Sequence, residues 1–393
     1  MSSLALFYLR GEIKEVHLKK DVGLFPLYLG KEYFDSTEIV KIGTKDEASL
    51  TLGDIKFRDL FFEERVDDDS FMHSKKYELK CVIKSFFYLL KHKNISHIMI
   101  FNVTRFSLGL SFLVKIFMPK RKIYLKLDAN TDIAKSLSEK PKKITQKIFY
   151  NFVSFIDFIS VETQQNFEII KKNPVFEKKL NLIPNGFEKP LEISELKKEN
   201  IILTVGSIGL PVKNSEILLN SLKNIDLKDW KFYFVGPISE DFDFKNALND
   251  FYENHPEKKE NVIFSGAIYD KKQLDSFYQR AKVFILPSKY ESFGIATIEA
   301  ASYGDFLVLT DTGCARDIVL GEDFGIILPN STTEAQTDDS LSKSISETLQ
   351  KIIDGEIKTD SNLDERKKRI YEKFAMENIV KSEVFKNWAK IQS

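Results

Sequence analysis

Two glutamates separated by seven residues, Glu291 and Glu299, bracket a glycine in the run Pro287-Ser288-Lys289-Tyr290-Glu291-Ser292-Phe293-Gly294-Ile295-Ala296-Thr297-Ile298-Glu299. Carboxylates accept hydrogen bonds from hydroxyl groups, and the unpaired amides at the start of a helix favour phosphate or a sugar hydroxyl. The apolar Ala281-Lys282-Val283-Phe284-Ile285-Leu286 ahead of Pro287 reads as a strand, and Gly294 onward as a helix with Ile295, Ile298 and Tyr303 turned inward. The sequence therefore predicts strand, loop and helix, with Ser292, Phe293 and Gly294 offering their amides. Gly294 removes a side chain at the closest approach. Two glutamates at this spacing also occur as solvated positions on ordinary helices, so the elements around them must decide.

Those elements alternate. Strands are predicted near 3–9, 38–42, 96–102, 122–127 and 156–161, with helices near 24–33, 76–92, 105–117, 142–154 and 163–171. In the second half, strands fall near 200–206, 230–236, 261–265, 282–286, 306–310 and 325–329 with helices between them. Such alternation predicts parallel, doubly wound sheets whose ligands bind at the carboxyl ends of the strands. Asn185-Gly186, Pro190 and the charged Glu192–Glu199 run read as a linker, and 393 residues are too many for one ordinary core.

The order Gly266, Leu286-Pro287-Ser288, Glu291-Ser292-Phe293-Gly294, Glu299-Ala300, Gly304 and Asp311-Thr312-Gly313 resembles the donor domain of retaining GT-B glycosyltransferases of family four. The likeness runs back through Ile183-Pro184-Asn185-Gly186-Phe187 and Val205-Gly206-Ser207 with Lys213, covering roughly residues 180 to 330. It implies an α/β fold of GT-B type, two Rossmann-like domains facing a central cleft. The expected organisation is an acceptor-side domain over 1–184, a nucleotide-sugar donor domain over 185–370, and a C-terminal helix within 371–393 crossing back to the first domain.

The implied reaction is transfer of a sugar from a nucleoside diphosphate donor, UDP-linked, to a glycan, lipid-linked or protein-linked acceptor with retention of configuration. Departure of the diphosphate builds negative charge while the sugar becomes oxocarbenium-like, so fixed cations and hydroxyl-binding carboxylates are wanted. By resemblance Glu291 holds donor-sugar hydroxyls, Glu299 the ribose hydroxyls, and Lys213 the diphosphate. Ser292, Phe293 and Gly294 contribute amides, while Pro237 and Ile268 lie at strand ends where the family holds its base. The family usually carries an Arg after the strand's Gly; here that position is Ser207, so either Lys213 and the helix amides suffice, or Arg10 or Arg105 of the first domain closes over the phosphates, or catalysis is weak or absent. Asp128 stands where many relatives place a His, as a second catalytic candidate or a strand-end turn residue. Gly23 is a candidate cleft loop.

No cofactor and no metal are expected. Asp67-Asp68-Asp69 and Asp241-Phe242-Asp243 read as solvated loop runs, and His17, His73, His92, His97 and His255 lack ligand spacing. Neither a Walker-type loop nor a dinucleotide fingerprint with its acidic partner is present. The 58 basic and 58 acidic side chains cancel, which recommends no nucleic acid. Cys81 and Cys314 suit a reduced, cytoplasmic setting, and the short apolar N-terminus resembles a first strand more than a signal. Residues 112–122 and 142–152 mix lysines with large apolar residues, a pattern of either a peripheral membrane contact or a core-facing helix with a solvated lysine face. Two rival readings remain: an epimerase on the same fold, for which added acid–base groups are wanting, and a non-catalytic GT-B subunit that steadies a partner transferase.

Overall fold

The computed structural model describes residues 2–44, 50–66, 68–139, 147, 150–189, 197–330 and 338–390. The chain divides into two compact units, Met1–Glu188 with Phe374–Ser393, and Lys189–Lys373. Each is a parallel α/β unit in its own right.

The first unit is built on β1 (Ser3–Tyr8), β2 (Ser36–Gly43), β3 (Lys56–Phe62), β4 (Ile95–Phe101), β5 (Lys122–Lys126), β6 (Phe158–Val161) and β7 (Leu180–Leu182). They pair in the order β3-β2-β1-β4-β5-β6-β7, all parallel. Strands β1, β4 and β5 lie inside the sheet with helices over both faces, which is why they read as nearly unbroken apolar runs. Both strands that the hydrophobic pattern missed are edges. Charged, largely unburied Lys-Phe-Arg-Asp forms half of β3, and β7 has three residues.

The helix expected from residue 24 starts at Asp21 and runs to Tyr33, so Gly23 lies in its first turn rather than in a loop. It is buried there, and only a glycine fits, because a Cβ would meet the Leu18 carbonyl oxygen at 2.0 Å. The helix expected over 142–154 falls largely outside the described residues.

The chain returns to this first sheet at its end. Phe187 donates its amide to the Phe374 carbonyl (3.1 Å), and Met376 donates back to Phe187 (3.0 Å). The short helices Met376–Val380 and Glu383–Ala389 then bury Met376, Ile379, Phe385 and Trp388 in the first unit's core. His97 on β4 is wholly buried beneath Trp388, their rings 4.8 Å apart, and its Nε2 donates to the Trp388 carbonyl at 3.1 Å. His97, one of the five histidines without ligand spacing, is thus a clamp on the returning segment.

The second unit orders β8 (Glu199–Val205), β9 (Lys231–Val235), β10 (Val262–Gly266), β11 (Ala281–Leu286), β12 (Phe306–Thr310) and β13 (Gly325–Leu328) as β10-β9-β8-β11-β12-β13, again all parallel. Strand order reverses between β8 and β11. That reversal opens a crevice beyond their carboxyl ends, where open α/β sheets bind ligands.

Burial pushes the His97 imidazole down to about 4. The unfolded chain binds its proton near pH 6.5, so between pH 6.5 and 4 the unfolded state holds more protons and the folded first unit loses stability as pH falls, by roughly 3 kcal/mol at most. Chemical denaturation followed by Trp388 fluorescence in a Trp230→Phe background should show this loss, and His97→Gln should flatten it. Equal acid slopes in both proteins would show that His97 does not carry it.

Candidate functional site

Two loops flank the strand reversal of the second unit. After β8 the chain passes Gly206 and Ser207 and makes a tight 3-10 turn over Pro211–Lys213, ending at Asn214 with φ 54°, before the helix Ser215–Leu222. After β11 it runs through Pro287–Glu291 to the helix Ile295–Ser302. Asn214 tolerates the left-handed conformation and its side chain then has a use: Nδ2 donates to the Pro287 carbonyl at 2.8 Å. Lys289 returns an amide to the Val212 carbonyl at 2.9 Å. The loops are stitched together at both ends of the turn.

Between those stitches Lys213 meets Glu291. Its Nζ donates to Oε1, which also accepts from the Ser288 hydroxyl at 2.8 Å. Ser288 is in turn fixed by Thr310 on β12, whose hydroxyl donates to the Ser288 carbonyl at 2.6 Å. The lysine is 26% and the glutamate 13% exposed, so neither charge is sealed from solvent. A ligand can therefore compete for either.

The Glu291 loop rests on β12 and its turn. Cys314 Sγ hydrogen-bonds the carbonyl of the buried Phe293. Gly294 caps the helix at φ 92°, where most side chains would be strained, and Thr297 donates back to its carbonyl at 2.9 Å. Gly313, at φ 48°, passes directly beneath the loop: a Cβ there would come within 2.7 Å of the Glu291 carbonyl oxygen. The Cys314 thiol is pushed well up by burial and by the Glu291 charge, so it serves packing and not nucleophilic chemistry.

Glu299 lies more than a turn into its helix and is held separately. Tyr278, fully buried on the helix Lys271–Arg280, donates its hydroxyl to Glu299 Oε2 at 3.2 Å, and Lys271 Nζ lies 3.7 Å from Oε1 while also pairing with Asp275. Sequence reasoning missed Lys271 and Tyr278. They sit on another helix, 28 and 21 positions away, with no local signal of a shared partner.

Of the remaining expected residues, half-buried Ser207 follows Gly206 at the end of β8, beside the lysine: a Cβ on Gly206 would lie 4.0 Å from Lys213 Cε. Pro237 is exposed and accepts the Ile208 amide at 2.9 Å. Ile268 is half-buried on the loop after β10, beside the exposed Tyr269. Gly23 and Asp128 belong to the first unit. Asp128 follows β5 in a left-handed turn, φ 44°, and its amide donates to Glu162 Oε1 at 3.0 Å. Arg10 bonds Asn102 (3.0 Å) and His73 (2.8 Å), and Arg105 pairs with Glu78 at 3.0 Å. Asp241, half of the second acidic run, caps a helix by accepting from Asp243 and Phe244; Asp67 lies outside the described residues.

Residues 187–369 match the family model of the glycosyl transferases group 1. That match falls almost wholly within the second unit, Lys189–Lys373. With the two Rossmann-like units, the fold is GT-B. The chain is 26% identical over 217 residues to an uncharacterized 41.2 kDa protein in the cps region of Klebsiella pneumoniae, covering 53% of this chain and 52% of that one. It is 23% identical over 239 residues to the capsular polysaccharide biosynthesis glycosyltransferase CapM of Staphylococcus aureus, covering 57% and 59%. In both, the match spans less than two thirds of the relative. Among solved structures it resembles the lipopolysaccharide outer core galactosyltransferase WaaB in apo form, with TM-score 0.69, 16% identity and 99% of each chain covered. It also resembles Anabaena HepE in complex with UDP, with TM-score 0.67, 15% identity, and 96% of this chain and 97% of that one covered. At those identities the structures speak for the fold alone.

Gly313→Ala should cost about 2 kcal/mol, from a strained left-handed backbone and the close Glu291 carbonyl. Thermal denaturation should register it as a lowered Tm. An unchanged Tm would mean that the Glu291 loop yields freely and is not held from below.

Proposed function

We propose that the chain transfers a sugar from a UDP-linked donor to a glycan, lipid-linked or protein-linked acceptor, retaining anomeric configuration and using neither metal nor cofactor. The observation that carries this reading is the Lys213–Glu291 pair spanning the two loops at the strand reversal. Diphosphate oxygens are the better partners for a lysine ammonium. When they draw Lys213 away, the Glu291 carboxylate is left beside the donor with its lone pairs open to sugar hydroxyls, and Ser288 still orients it. Lys213, helped by the Ser292, Phe293 and Gly294 amides at the helix start, supplies the positive charge that a metal would otherwise bring to the leaving group. Ser207 adds none, so more of the transition-state stabilisation falls on Lys213.

Glu299 is placed for a steadier task. Its attachment to Tyr278 and Lys271 keeps it fixed, suited to the ribose hydroxyls, which do not change during transfer. Pro237 and Ile268 at the neighbouring strand ends would flank the base. A cell-surface glycan as product is supported by the names of the relatives, CapM above all. Retention rests on the resemblance to family four. Asp128 is the first unit's candidate for contact with the reacting sugar.

A carboxylate that grips the sugar as its charge changes acts on the transition state, whereas one that grips ribose binds ground and transition state alike. Glu291→Ala should therefore lower kcat strongly with little change in UDP affinity. Glu299→Ala should weaken UDP binding by roughly 1–3 kcal/mol. Calorimetry with UDP and turnover of a panel of UDP-sugars measure the two effects; the opposite pattern would exchange the roles. Donor turnover should survive EDTA, and its loss with recovery on adding manganese would refute the metal-free mechanism. UDP binding with these effects but no turnover of any donor would leave a binding subunit instead of an enzyme.

A further inference from the structure

The helix Lys75–Lys91 turns an apolar stripe to solvent. Leu79, Ile83, Phe87 and Leu90 recur every three or four residues on one face, and each is between 40% and 59% exposed. The opposite face packs inward through Tyr77, Cys81, Val82, Ser85 and Leu89. The end of the next helix, Arg105–Phe117, extends the stripe: Ile116 and Phe117 are 55% and 63% exposed, and Phe117 meets Phe86 edge-on at 5.4 Å. Four large side chains bared at that spacing form a continuous strip, unlike the scattered apolar residues of an ordinary surface.

The charges around the stripe identify what it fits. Residues 75–93 and 105–122 contain eleven lysines and arginines against one acid, Glu78, although the 58 basic and 58 acidic side chains of the whole chain cancel. Glu78 is buried and paired with Arg105. On the helical wheel Lys76, Lys80, Lys84 and Lys91 form a row along one border of the apolar strip, and Lys76, Lys84, Lys91, Lys93 and Lys120 are exposed. An apolar strip bordered by long cationic side chains suits an anionic bilayer surface: the aromatic and aliphatic groups enter the headgroup boundary while the ammonium groups reach lipid phosphates. A second protein chain would be met by unmatched positive charge. No helix among the described residues is long and apolar enough to cross a membrane, so this contact would lie in the interface plane.

We propose that this face of the first unit docks on an anionic lipid surface, with the helix Lys75–Lys91 lying along it and Ile116–Phe117 at one end. The site differs from the one the sequence suggested. Of residues 112–122, Val114 is buried and Phe112 and Leu113 are half-buried; only the last turn joins the strip. Most of 142–152 lies outside the described residues. The inference stands apart from the donor chemistry, because nothing in it depends on Lys213 or Glu291.

Flotation of the full chain with vesicles of phosphatidylglycerol and phosphatidylcholine tests it. Wild type should float with the mixed vesicles and drop by about tenfold or more with pure phosphatidylcholine or at high salt. Leu79→Ser with Phe87→Ser, and separately Lys84→Glu with Lys91→Glu, should each lower flotation by a similar factor without changing UDP binding or circular dichroism. The salt and lipid dependence of the wild type decides the matter even where a variant folds poorly. Absence of flotation, equal binding to neutral vesicles, or self-association that the same variants abolish without any vesicle binding would each overturn the proposal.

Discussion

One ion pair organises the candidate site at the second unit's strand reversal. Lys213 and Glu291 come from loops 78 residues apart, and a parallel sheet whose strand order reverses between β8 and β11 brings those loops side by side. The pair adds little to stability in its own right, since partly exposed pairs contribute about 1 kcal/mol or less. Its importance is positional. It keeps an ammonium and a carboxylate within one contact of each other, while the Asn214–Pro287 and Lys289–Val212 bonds fix the backbones that carry them. A binding anion needs only to exchange partners.

That arrangement depends on small residues beneath it. The Glu291 loop lies so close to the turn after β12 that Gly313 has no room for a side chain, and Gly294 lets the chain turn into a helix one contact from Cys314. Rigid support of this kind suits the catalytic role proposed for Glu291, because a carboxylate displaced by an ångström loses most of its advantage.

Much of this was legible in the sequence, for a physical reason. Strands such as β4, β5 and β11 are buried on both faces, so their apolar runs stand out, and the Pro287–Glu299 segment follows one of them directly. Edge strands give no such signal: β3 alternates charge with half-buried aromatics, and β7 is too short to show a period. The start of the helix at Asp21 was hidden because Gly23 reads as a loop residue, although its real constraint is the carbonyl of Leu18, five residues earlier. Lys271 and Tyr278 were invisible for a different reason. Their tie to Glu299 exists only once two helices pack, and no spacing within either helix announces it.

The first unit shows what separates a sealed charge pair from a half-open one. Lys126, at the end of β5, is completely buried; its Nζ donates to Glu162 Oε1 at 2.5 Å and lies 3.7 Å from Asp21. Burial acts to lower the lysine's proton affinity, but Glu162 and Asp21 outweigh it and hold it above the ordinary range, while burial lifts Asp21 to about 6. Glu162 also accepts the amides of Asp128 and Ala129, so its lone pairs are committed to the turn that carries Asp128. These are the same residue types as Lys213 and Glu291, at strand ends of a similar sheet. They differ in solvent access. A sealed pair cannot trade partners without leaving an uncompensated buried charge, which costs several kcal/mol. The Lys126–Glu162 cluster therefore shapes the Asp128 turn, whereas the half-open pair of the second unit can exchange partners without burying an uncompensated charge.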